Sequence, residues 1–286
     1  MSQISEKNMG AKLQLARQKA GLTQQALCQK AGLSYSTLAK IERGAIKSPS
    51  IFTIQSIAAA IGVGLDELIG VPQINAHKRR LHSKSGVNFV YFDINGCLVH
   101  FYHQAFTKIA IDCDQPSDVV ETAFWHYNDQ ICRGEITTAE FNRAMGERLF
   151  MPSFDWDKYY LSAVKPVPHM KELISWVDKY YGVGLLTNIM PGLIEQLRQR
   201  NIIPNIPYDV VIDSSEVHIL KPEKKIYELA IEHANTSSNE ILFVDDARTN
   251  LMAAEKFGWH VLWFDDLHPD ESIAHIREAL EPAEES

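Results

Sequence analysis

Polar residues stand at the ends of several apolar segments in the C-terminal part of this sequence. They are Asp93, Thr187-Asn188, Lys221 and Asp245-Asp246. A carboxylate can attack phosphorus, further carboxylates can hold Mg²⁺ beside it, and a lysine and a hydroxyl can neutralise and orient phosphoryl oxygens. The set predicts a Mg²⁺-dependent site for a phosphorylated small molecule, with Asp93 as the nucleophile. Because Asp at a strand end is also a common turn residue, this interpretation of Asp93 depends on the other groups.

The segments around these residues predict a doubly wound α/β fold. Residues 87–92 form an apolar run typical of a buried parallel strand, and Gly96 suits a tight turn after Asp93. Strand and helix patterns alternate over residues 170–264, as in βαβ units. Since chemistry in open α/β sheets takes place at the carboxyl ends of strands, this fold would bring the polar groups together.

A helical insert at about residues 100–165 interrupts the alternation directly after the first strand and its loop. Its apolar spacing predicts four helices, and the next strand pattern starts at Gly182. An insert at this position predicts a cap that closes over the site.

The motifs resemble those of the haloacid-dehalogenase-like (HAD) superfamily. They are Phe92-Asp93-Ile94-Asn95-Gly96, Leu185-Leu186-Thr187-Asn188, Ser215-Glu216-Val217 with Lys221-Pro222, and Phe243-Val244-Asp245-Asp246 followed by Asn250 and Gly258. The resemblance covers residues 87–265 and implies a Rossmann-like core with a small helical cap. It implies catalytic positions at Asp93, Asn95, Thr187 and Lys221. It also implies Mg²⁺ ligands at Asp93, Asn95, Asp245 and Asp246, and substrate-binding residues at Thr187, Asn188 and Lys221. The branch it looks most like contains sugar-phosphate phosphatases and the phosphatase domain of soluble epoxide hydrolase.

Asn95 departs from the family pattern, because the family's phosphatases have a second Asp at this position. That Asp protonates the leaving oxygen and then activates water. An amide cannot act as a general acid or base near neutral pH, and losing such a group typically costs about 10²–10⁴-fold in rate. The backbone carbonyl of Asn95 could still bind Mg²⁺. Four alternatives remain open: a sensor that binds without turnover, a slow enzyme, an enzyme in which another residue supplies the proton, and a sequence altered at this position, where Asn95-Gly96 is also a deamidation-prone pair.

The first 70 residues predict a separate bundle of short helices. The predicted helices cover residues 11–20, 24–31 and 35–43, a fourth opened by Pro49-Ser50, and a short fifth at 65–69. Thr23 and Ser34 are suitable N-caps, and Gly32 is a suitable C-cap. Because only about three residues join the second and third helices, these two should cross steeply, as in a helix-turn-helix.

This segment resembles the phage-repressor (Cro/C1, or Xre) family of helix-turn-helix domains over roughly residues 9–70. The matching residues are Leu22-Thr23-Gln24-Gln25-Ala26-Leu27, Gly32-Leu33-Ser34, Ser36-Thr37-Leu38, Lys40-Ile41-Glu42-Arg43-Gly44, Pro49-Ser50, and Gly62-Val63 with Leu65-Asp66-Glu67-Leu68. The resemblance implies that the third helix enters the major groove of double-stranded DNA. The candidate base contacts are Tyr35, Ser36 and Lys40, and the candidate phosphate contacts are Gln24, Ser34, Arg43 and Lys47. We expect Glu42 to brace the fold, and we expect a homodimer because this class usually reads two half-sites.

The distribution of charge and the cysteines agree with this division. Residues up to Gly86 hold 12 Lys+Arg and 4 Asp+Glu, a net of +8, while the remainder holds 16 and 32, a net of −16. A basic head on an acidic body indicates an anionic polymer as the partner of the head.

The four cysteines form no CxxC pair, so neither disulfides nor a zinc site is indicated. No apolar run has membrane-spanning length, and we expect a cytoplasmic protein with no membrane contact.

We therefore predict two domains, an all-α helix-turn-helix bundle followed by an α/β doubly wound parallel sheet with an α-helical cap. The boundaries are 1–70 for the bundle, 71–86 for a solvated linker and 87–286 for the HAD-like domain. The first functional hypothesis is a DNA-binding transcriptional regulator that binds Mg²⁺ and a phosphorylated small molecule, with weak or no phosphatase activity because of Asn95. The second is an active Mg²⁺-dependent phosphatase that forms an aspartyl-phosphate on Asp93. The third is a head that docks proteins and has no role on DNA.

Overall fold

The computed structural model describes residues 9–46, 49–63 and 81–283. The chain divides into two compact units, with the boundary after Ala76. Lys47, the predicted fifth helix at 65–69 and most of the predicted linker lie outside the described residues. Within the described residues, no helix is both long and apolar enough to cross a membrane.

The first unit contains the four helices predicted for the described part of the bundle. They are α1 (Met9–Lys19), α2 (Gln24–Ala31), α3 (Tyr35–Glu42) and α4 (Ile51–Ile61). The side chains of Thr23 and Ser34 accept hydrogen bonds from the backbone of Ala26 and Thr37, which caps α2 and α3 as predicted. Gly32 ends α2 in the left-handed conformation, at φ 66°. Local capping chemistry therefore sets the turn between α2 and α3.

The core of the first unit lies between these helices. Leu13, Leu27, Leu38 and Ile57 are fully buried in it. At Gly10, a side-chain Cβ would lie only 2.4 Å from the backbone oxygen of Ile41, so α1 and α3 can pack this closely only with glycine there. Packing of this kind fixes the outer face of α3 relative to the rest of the bundle.

The second unit is built on one parallel sheet of five strands. They are β1 (Phe89–Phe92), β2 (Gly182–Thr187), β3 (Val210–Asp213), β4 (Ile241–Asp245) and β5 (His260–Trp263), in the order β3-β2-β1-β4-β5. β1 is the central strand, with β2 and β4 as its neighbours, and all residues of these three strands are buried. The sheet thus has the doubly wound topology that the sequence predicts, and its three inner strands end side by side.

Helices cover the sheet and form the cap. The cap helices are α5 (His103–Cys113), α6 (Ser117–Cys132), α7 (Thr138–Arg148) and α8 (Trp156–Ala163). The remaining helices are α9 (Met170–Tyr180), α10 (Leu193–Gln199), α11 (Ser214–Val217), α12 (Lys224–Ala234), α13 (Arg248–Glu255) and α14 (Pro269–Ala279). Tyr102, Phe124 and Trp156 are among the buried rings of the cap interior, with centroids about 5 Å apart. α11 and α14 were not among the elements predicted from the sequence.

Residues 81–86 differ from the solvated connector that we expected. The backbone N–H of Leu81 donates to Tyr180, and that of Lys84 donates to Glu281. Ser83 is buried and forms an antiparallel bridge with Pro282. This stretch is therefore part of the second unit, where it pairs with the segment that follows α14.

Candidate functional site

The predicted phosphoryl-binding residues meet at the carboxyl edge of the sheet. Asp93 directly follows β1, while Thr187 and Asp245 are the last residues of β2 and β4. Because β1 pairs in parallel with both neighbours, these strand ends lie next to each other. Asp93, Thr187 and Asp245 are all buried. The fold thus assembles the side chains that the sequence placed at separate strand ends.

Lys221 connects two of these carboxylates. Its Nζ lies 3.0 Å from Oδ1 of Asp93 and 2.6 Å from Oδ2 of Asp245, and the residue is only 4% exposed. Burial lowers the pKa of Lys221, but Asp245 and Asp93 more than offset this, so that the pKa is raised. The ammonium is therefore charged and is held between the two carboxylates.

Asn188, a predicted substrate-binding residue, positions Lys221. Its Oδ1 accepts from the backbone N–H of Lys221 at 2.8 Å, and its Nδ2 donates to the backbone oxygen of Lys221 at 2.9 Å. Both ends of the amide are used by this one neighbour. The side chain of Asn188 consequently holds the lysine-bearing loop against the end of β2.

Asp245 is held by several donors besides Lys221. The backbone N–H of Ala247 donates to its Oδ1 at 2.7 Å, and the amide of Asn250 lies 3.1 Å from both carboxylate oxygens. These bonds fix the direction of the carboxylate before any ligand arrives.

Three carboxylates form a cluster that suits a divalent cation. One ligand oxygen each from Asp93, Asp245 and Asp246 lies within 4.8 Å of the others. Burial raises the pKa of Asp93, although Lys221 lowers it, and burial together with Asp93 and Asp245 raises the pKa of Asp246. Carboxylate oxygens are the ligands that Mg²⁺ prefers, and a cation would relieve this repulsion. The donor set therefore fits the predicted metal.

Gly96 makes this cluster possible. Its φ is 85°, and a Cβ at this position would lie 2.3 Å from Oδ2 of Asp246. Any side chain here would push Asp246 away from the loop that follows Asp93. The glycine that the sequence marked as a turn residue thus also provides room for the third carboxylate.

Asn95 lies in the same loop and makes one hydrogen bond to the cap. The hydroxyl of Tyr160, on α8, donates to Oδ1 of Asn95 at 2.8 Å. The amide nitrogen of Asn95 is buried and has no hydrogen-bond partner among the described residues. The buried hydroxyl of Thr187 lies close to the carboxylate of Asp93 and lowers the pKa of that group. Within the described ranges, the site therefore contains an unpaired amide N–H next to its charged cluster.

The model of the haloacid dehalogenase-like hydrolase family matches residues 87–258 of this chain. The chain belongs to this family. A second model, described as helix-turn-helix, matches residues 13–68. Both resemblances stated from the sequence are confirmed, and so is the fold class. We refer below to the described residues of the two units as the HTH unit and the HAD unit.

Individual relatives are distant. The chain is 24% identical over 206 residues to acyl-CoA dehydrogenase family member 10 of Mus musculus, which covers 67% of this chain but only 19% of that protein. It is 24% identical over 172 residues to a sesquiterpene phosphatase of Aspergillus oryzae, covering 58% of this chain and 84% of that protein. An HAD family enzyme of Bacteroides thetaiotaomicron, solved with magnesium and inorganic phosphate, superposes with a TM-score of 0.51 at 19% identity, covering 62% of this chain and 94% of that chain. At this identity the superposition supports the fold alone. The match to the mouse protein spans about a fifth of its length.

The predicted DNA contacts of the HTH unit are mostly exposed. Tyr35, Ser36, Lys40 and Arg43 all expose their side chains on α3 or at its end. The hydroxyl of Ser34 accepts from the backbone of Thr37 as the cap of α3, and it also contacts two neighbouring hydroxyls. Ser36 shares a hydrogen bond with Ser34, and Nε of Arg43 donates to the backbone oxygen of Ala39 at 3.1 Å. All four exposed side chains remain accessible to a ligand from outside the unit.

Gln24, a predicted phosphate contact, also makes a hydrogen bond inside the unit. Its Nε2 donates to Glu42 at 2.7 Å, and Glu42 is also paired with Arg17 at 2.7 Å. Arg17 and Glu42 are both buried, which confirms that Glu42 braces the fold. Gln24 therefore belongs to an internal network that ties α1 and α2 to the end of α3.

The contacts of Tyr160 and Arg133 could not be predicted from the sequence. Tyr160 is 65 positions from Asn95 and carries no motif, so nothing in the spacing signalled their contact. Arg133 forms ion pairs with Glu223 at 2.6 Å and with Glu135 at 3.3 Å. The pair with Glu223 links the end of α6 in the cap to the residue before α12.

Proposed function

We propose that this protein is a DNA-binding transcriptional regulator whose HAD unit binds Mg²⁺ and a phosphorylated small molecule and hydrolyses it slowly or not at all. The proposal rests on one observation. Asn95 places an amide where the family's phosphatases have a carboxyl group, while the other predicted phosphoryl-binding residues lie together. Asp93, Lys221 and Asp245 are in contact, and the carboxylate cluster has room for a cation. Such a site keeps the chemistry of binding and lacks the group that drives turnover.

In this proposal, different residues of the HAD unit would bind the metal ion and the phosphate group. Asp93, Asp245 and Asp246, with the backbone carbonyl of Asn95, would hold Mg²⁺, which supplies positive charge between the carboxylates and the phosphate oxygens. Lys221 would neutralise a further oxygen, and the hydroxyl of Thr187 would donate to another. If Asp93 attacked phosphorus, the ester P–O bond would break and the leaving oxygen would have to take its proton from water, since Asn95 cannot supply one. The resulting aspartyl-phosphate would then persist, because Asn95 cannot activate the water that breaks it down.

The HTH unit would read DNA through the outer face of α3, as a homodimer on two half-sites. Lys40→Ala should weaken binding to a selected duplex by about 5–150-fold and relax the preference at one base pair, as expected for loss of one base contact. Binding would be measured by fluorescence anisotropy at several salt concentrations. Lys30→Ala is the matched control, because Lys30 is equally exposed but lies at the far end of α2. If both variants weaken binding equally, α3 is not the reading helix.

The regulatory part of the proposal is tested on a duplex enriched from a random library. DNA affinity would be measured with Mg²⁺ alone, and then with Mg²⁺ plus inorganic phosphate or a panel of phosphate monoesters. We expect at least one of these ligands to shift DNA affinity by about 5-fold or more, the low end of typical coupling between sites. Asp245→Asn should abolish the shift and leave the basal DNA affinity unchanged. Tight, salt-sensitive binding that responds to none of the ligands would contradict the proposal, and the absence of any specific duplex would favour the docking head.

The second candidate is an active Mg²⁺-dependent phosphatase that acts on a small phosphate ester through Asp93. The complete set of Asp93, Thr187, Lys221 and the two following carboxylates favours it, as does the relative described as a sesquiterpene phosphatase. Turnover of a phosphate ester by the native chain above about 1 s⁻¹, the low end of typical enzymes, would decide for this candidate.

A further inference from the structure

The amide of Asn95 has one end fixed and the other end unpaired. Tyr160, itself 1% exposed, donates to Oδ1, while the buried Nδ2 lacks an acceptor within the described part of the chain. A buried N–H without a partner is costly, so such groups are normally satisfied by a ligand or by water. Because Tyr160 donates to the accepting end and so fixes which way the amide points, the unpaired N–H is the end that lacks a partner among the described residues and is presented to a ligand.

The other polar groups beside Asp93 are also donors. The hydroxyl of Thr187 is buried next to Asp93, and Lys221 holds its ammonium between Asp93 and Asp245. Three donors around one carboxylate nucleophile match a group with several acceptor oxygens and no protons to donate. A phosphate monoester dianion has this character.

We propose that Tyr160 is a positioning residue that fixes Asn95 as a permanent hydrogen-bond donor to an oxygen of a tetrahedral oxyanion ester, so that the site retains this ligand. The inference rests on the proposed function and deepens it. A carboxyl group at position 95 would present a charged oxygen to the ligand whenever it is ionised, whereas the amide presents N–H at any pH at which the protein is folded. The substitution that removes acid–base chemistry would thereby also improve retention.

The test compares two tyrosines that are neighbours on α8. Tyr160→Phe removes the hydroxyl that orients Asn95 and keeps the ring that stacks on Trp156. Tyr159→Phe is the matched control, because the hydroxyl of Tyr159 donates to Asp112 and not to the site. Affinities for Mg²⁺ alone, and for inorganic phosphate in saturating Mg²⁺, would be measured by titration calorimetry on the full chain.

We expect Tyr160→Phe to weaken phosphate binding by about 2–12-fold, the range for one neutral hydrogen bond, and to leave Mg²⁺ affinity unchanged. Tyr159→Phe should alter neither affinity. In an Asn95→Leu background, which lacks the donor, Tyr160→Phe should have no further effect on phosphate binding.

The outcomes separate this inference from the proposed function. If native protein binds phosphate and Tyr160→Phe binds it equally well, the inference is wrong and the proposed function stands. If Tyr160→Phe weakens Mg²⁺ and phosphate binding to the same extent, Tyr160 acts only on the fold and the inference is again wrong. If the native chain binds no phosphate in the presence of Mg²⁺, the proposed function itself fails.

A separate feature is an exposed stripe along the cap helix α7. We call Ala139, Arg143, Glu147 and Phe150 the α7 stripe. The first three residues are spaced four positions apart on the helix. Phe150 follows the end of the helix, and its side chain is 85% exposed. These residues line a groove of about 680 Å³ whose walls include Met151. The groove is lined by charged and apolar side chains together, and an exposed aromatic side chain beside such a groove is typical of an interaction surface.

The charges of the α7 stripe are complementary to themselves. Neither Arg143 nor Glu147 forms an ion pair within the described ranges of the chain. Around a twofold axis midway between them, two antiparallel copies of α7 would pair Arg143 of each copy with Glu147 of the other. The same axis would set Phe150 of one copy against the first turn of the partner's α7, near Ala139. One twofold axis would therefore form both ion pairs and also bring Phe150 to the groove of the other copy.

We infer that the α7 stripe is a dimer interface whose occupant is a second copy of this chain. The dimer that an HTH unit requires for two half-sites would then also be held together through the cap. Equilibrium sedimentation of the full chain measures the dimer dissociation constant. Arg143→Glu should raise it more than about 10-fold, because two like-charge contacts replace two ion pairs.

The charge exchange Arg143→Glu with Glu147→Arg should restore dimerisation, because it rebuilds both pairs with reversed polarity. Arg148→Glu is the matched control, since Arg148 is exposed on the same helix outside the stripe. A monomeric native chain would overturn the inference. So would a dimer that is insensitive to Arg143→Glu, or an exchange variant that stays dissociated.

Discussion

Asn95→Asp should turn the HAD unit into a phosphatase, with turnover of an aryl phosphate raised by about 10²–10⁴-fold over the native chain. The new carboxyl group would stand where the amide stands, with one oxygen held by the hydroxyl of Tyr160. Its second oxygen could carry the proton for the leaving group and then accept one from water. Burial and nearby carboxylates favour the protonated form that a general acid needs.

Two further variants make this result interpretable. Asp93→Asn in the Asn95→Asp background should abolish the gained activity, because it removes the nucleophile while keeping the size of the side chain. Lys224→Met should not affect it, because Lys224 is exposed and pairs with Glu228. Release of the aryl alcohol would be followed with and without Mg²⁺. If the native chain already turns over as fast as Asn95→Asp, Asn95 is no obstacle and the protein is an enzyme with a DNA-binding head.

Local chemistry in the sequence was sufficient for most of the fold. Thr23, Ser34 and Gly32 placed the ends of two helices, because capping depends on neighbouring residues alone. The strand ends followed from apolar runs that stop at polar residues. By contrast, α11 has only four residues and shows no periodicity of its own. α14 is different, since Pro269 and Asp270 are helix-start signals that the sequence does contain.

The sequence predicted which strand-end residues form the site, but it did not predict the hydrogen bonds between them. Which donor serves which acceptor is decided by contacts between residues far apart in sequence, such as Asn188 with the backbone of Lys221. Gln24 shows the same limit, because its contact with Glu42 arises only when α2 packs on α3. A motif specifies a side-chain type at a position, whereas the free hydrogen-bonding end of that side chain depends on tertiary packing.

Lys221→Met should destabilise the HAD unit by about 3–5 kcal/mol in metal-free buffer near neutral pH, as for other buried ion pairs broken on one side. Lys221 is in contact with Asp93 and Asp245 and is almost fully buried. Methionine has a similar length but no charge, so the variant would leave three clustered carboxylates without their cation. Mg²⁺ should restore part of the lost stability, because it binds the folded cluster and not the unfolded chain.

The pH dependence of this effect has a definite sign. Burial already raises the pKa of Asp93 above its usual value, and without Lys221, which lowers it, the pKa would be higher still. A carboxyl whose pKa is raised on folding binds more protons in the folded state, so stability falls as pH rises through the folded pKa. The difference between native and Lys221→Met should therefore be larger at pH 8 than at pH 5.

Urea unfolding followed by tryptophan fluorescence measures this difference in the HAD unit alone, because all five tryptophans lie after residue 87. The control is Lys224→Met, which removes an exposed lysine three positions away and should cost less than about 0.5 kcal/mol. Equal unfolding curves for the two variants would mean that the carboxylates do not depend on Lys221. In that case the cluster must be neutralised by protons, and Lys221 would not be the charged anchor that a bound phosphate requires.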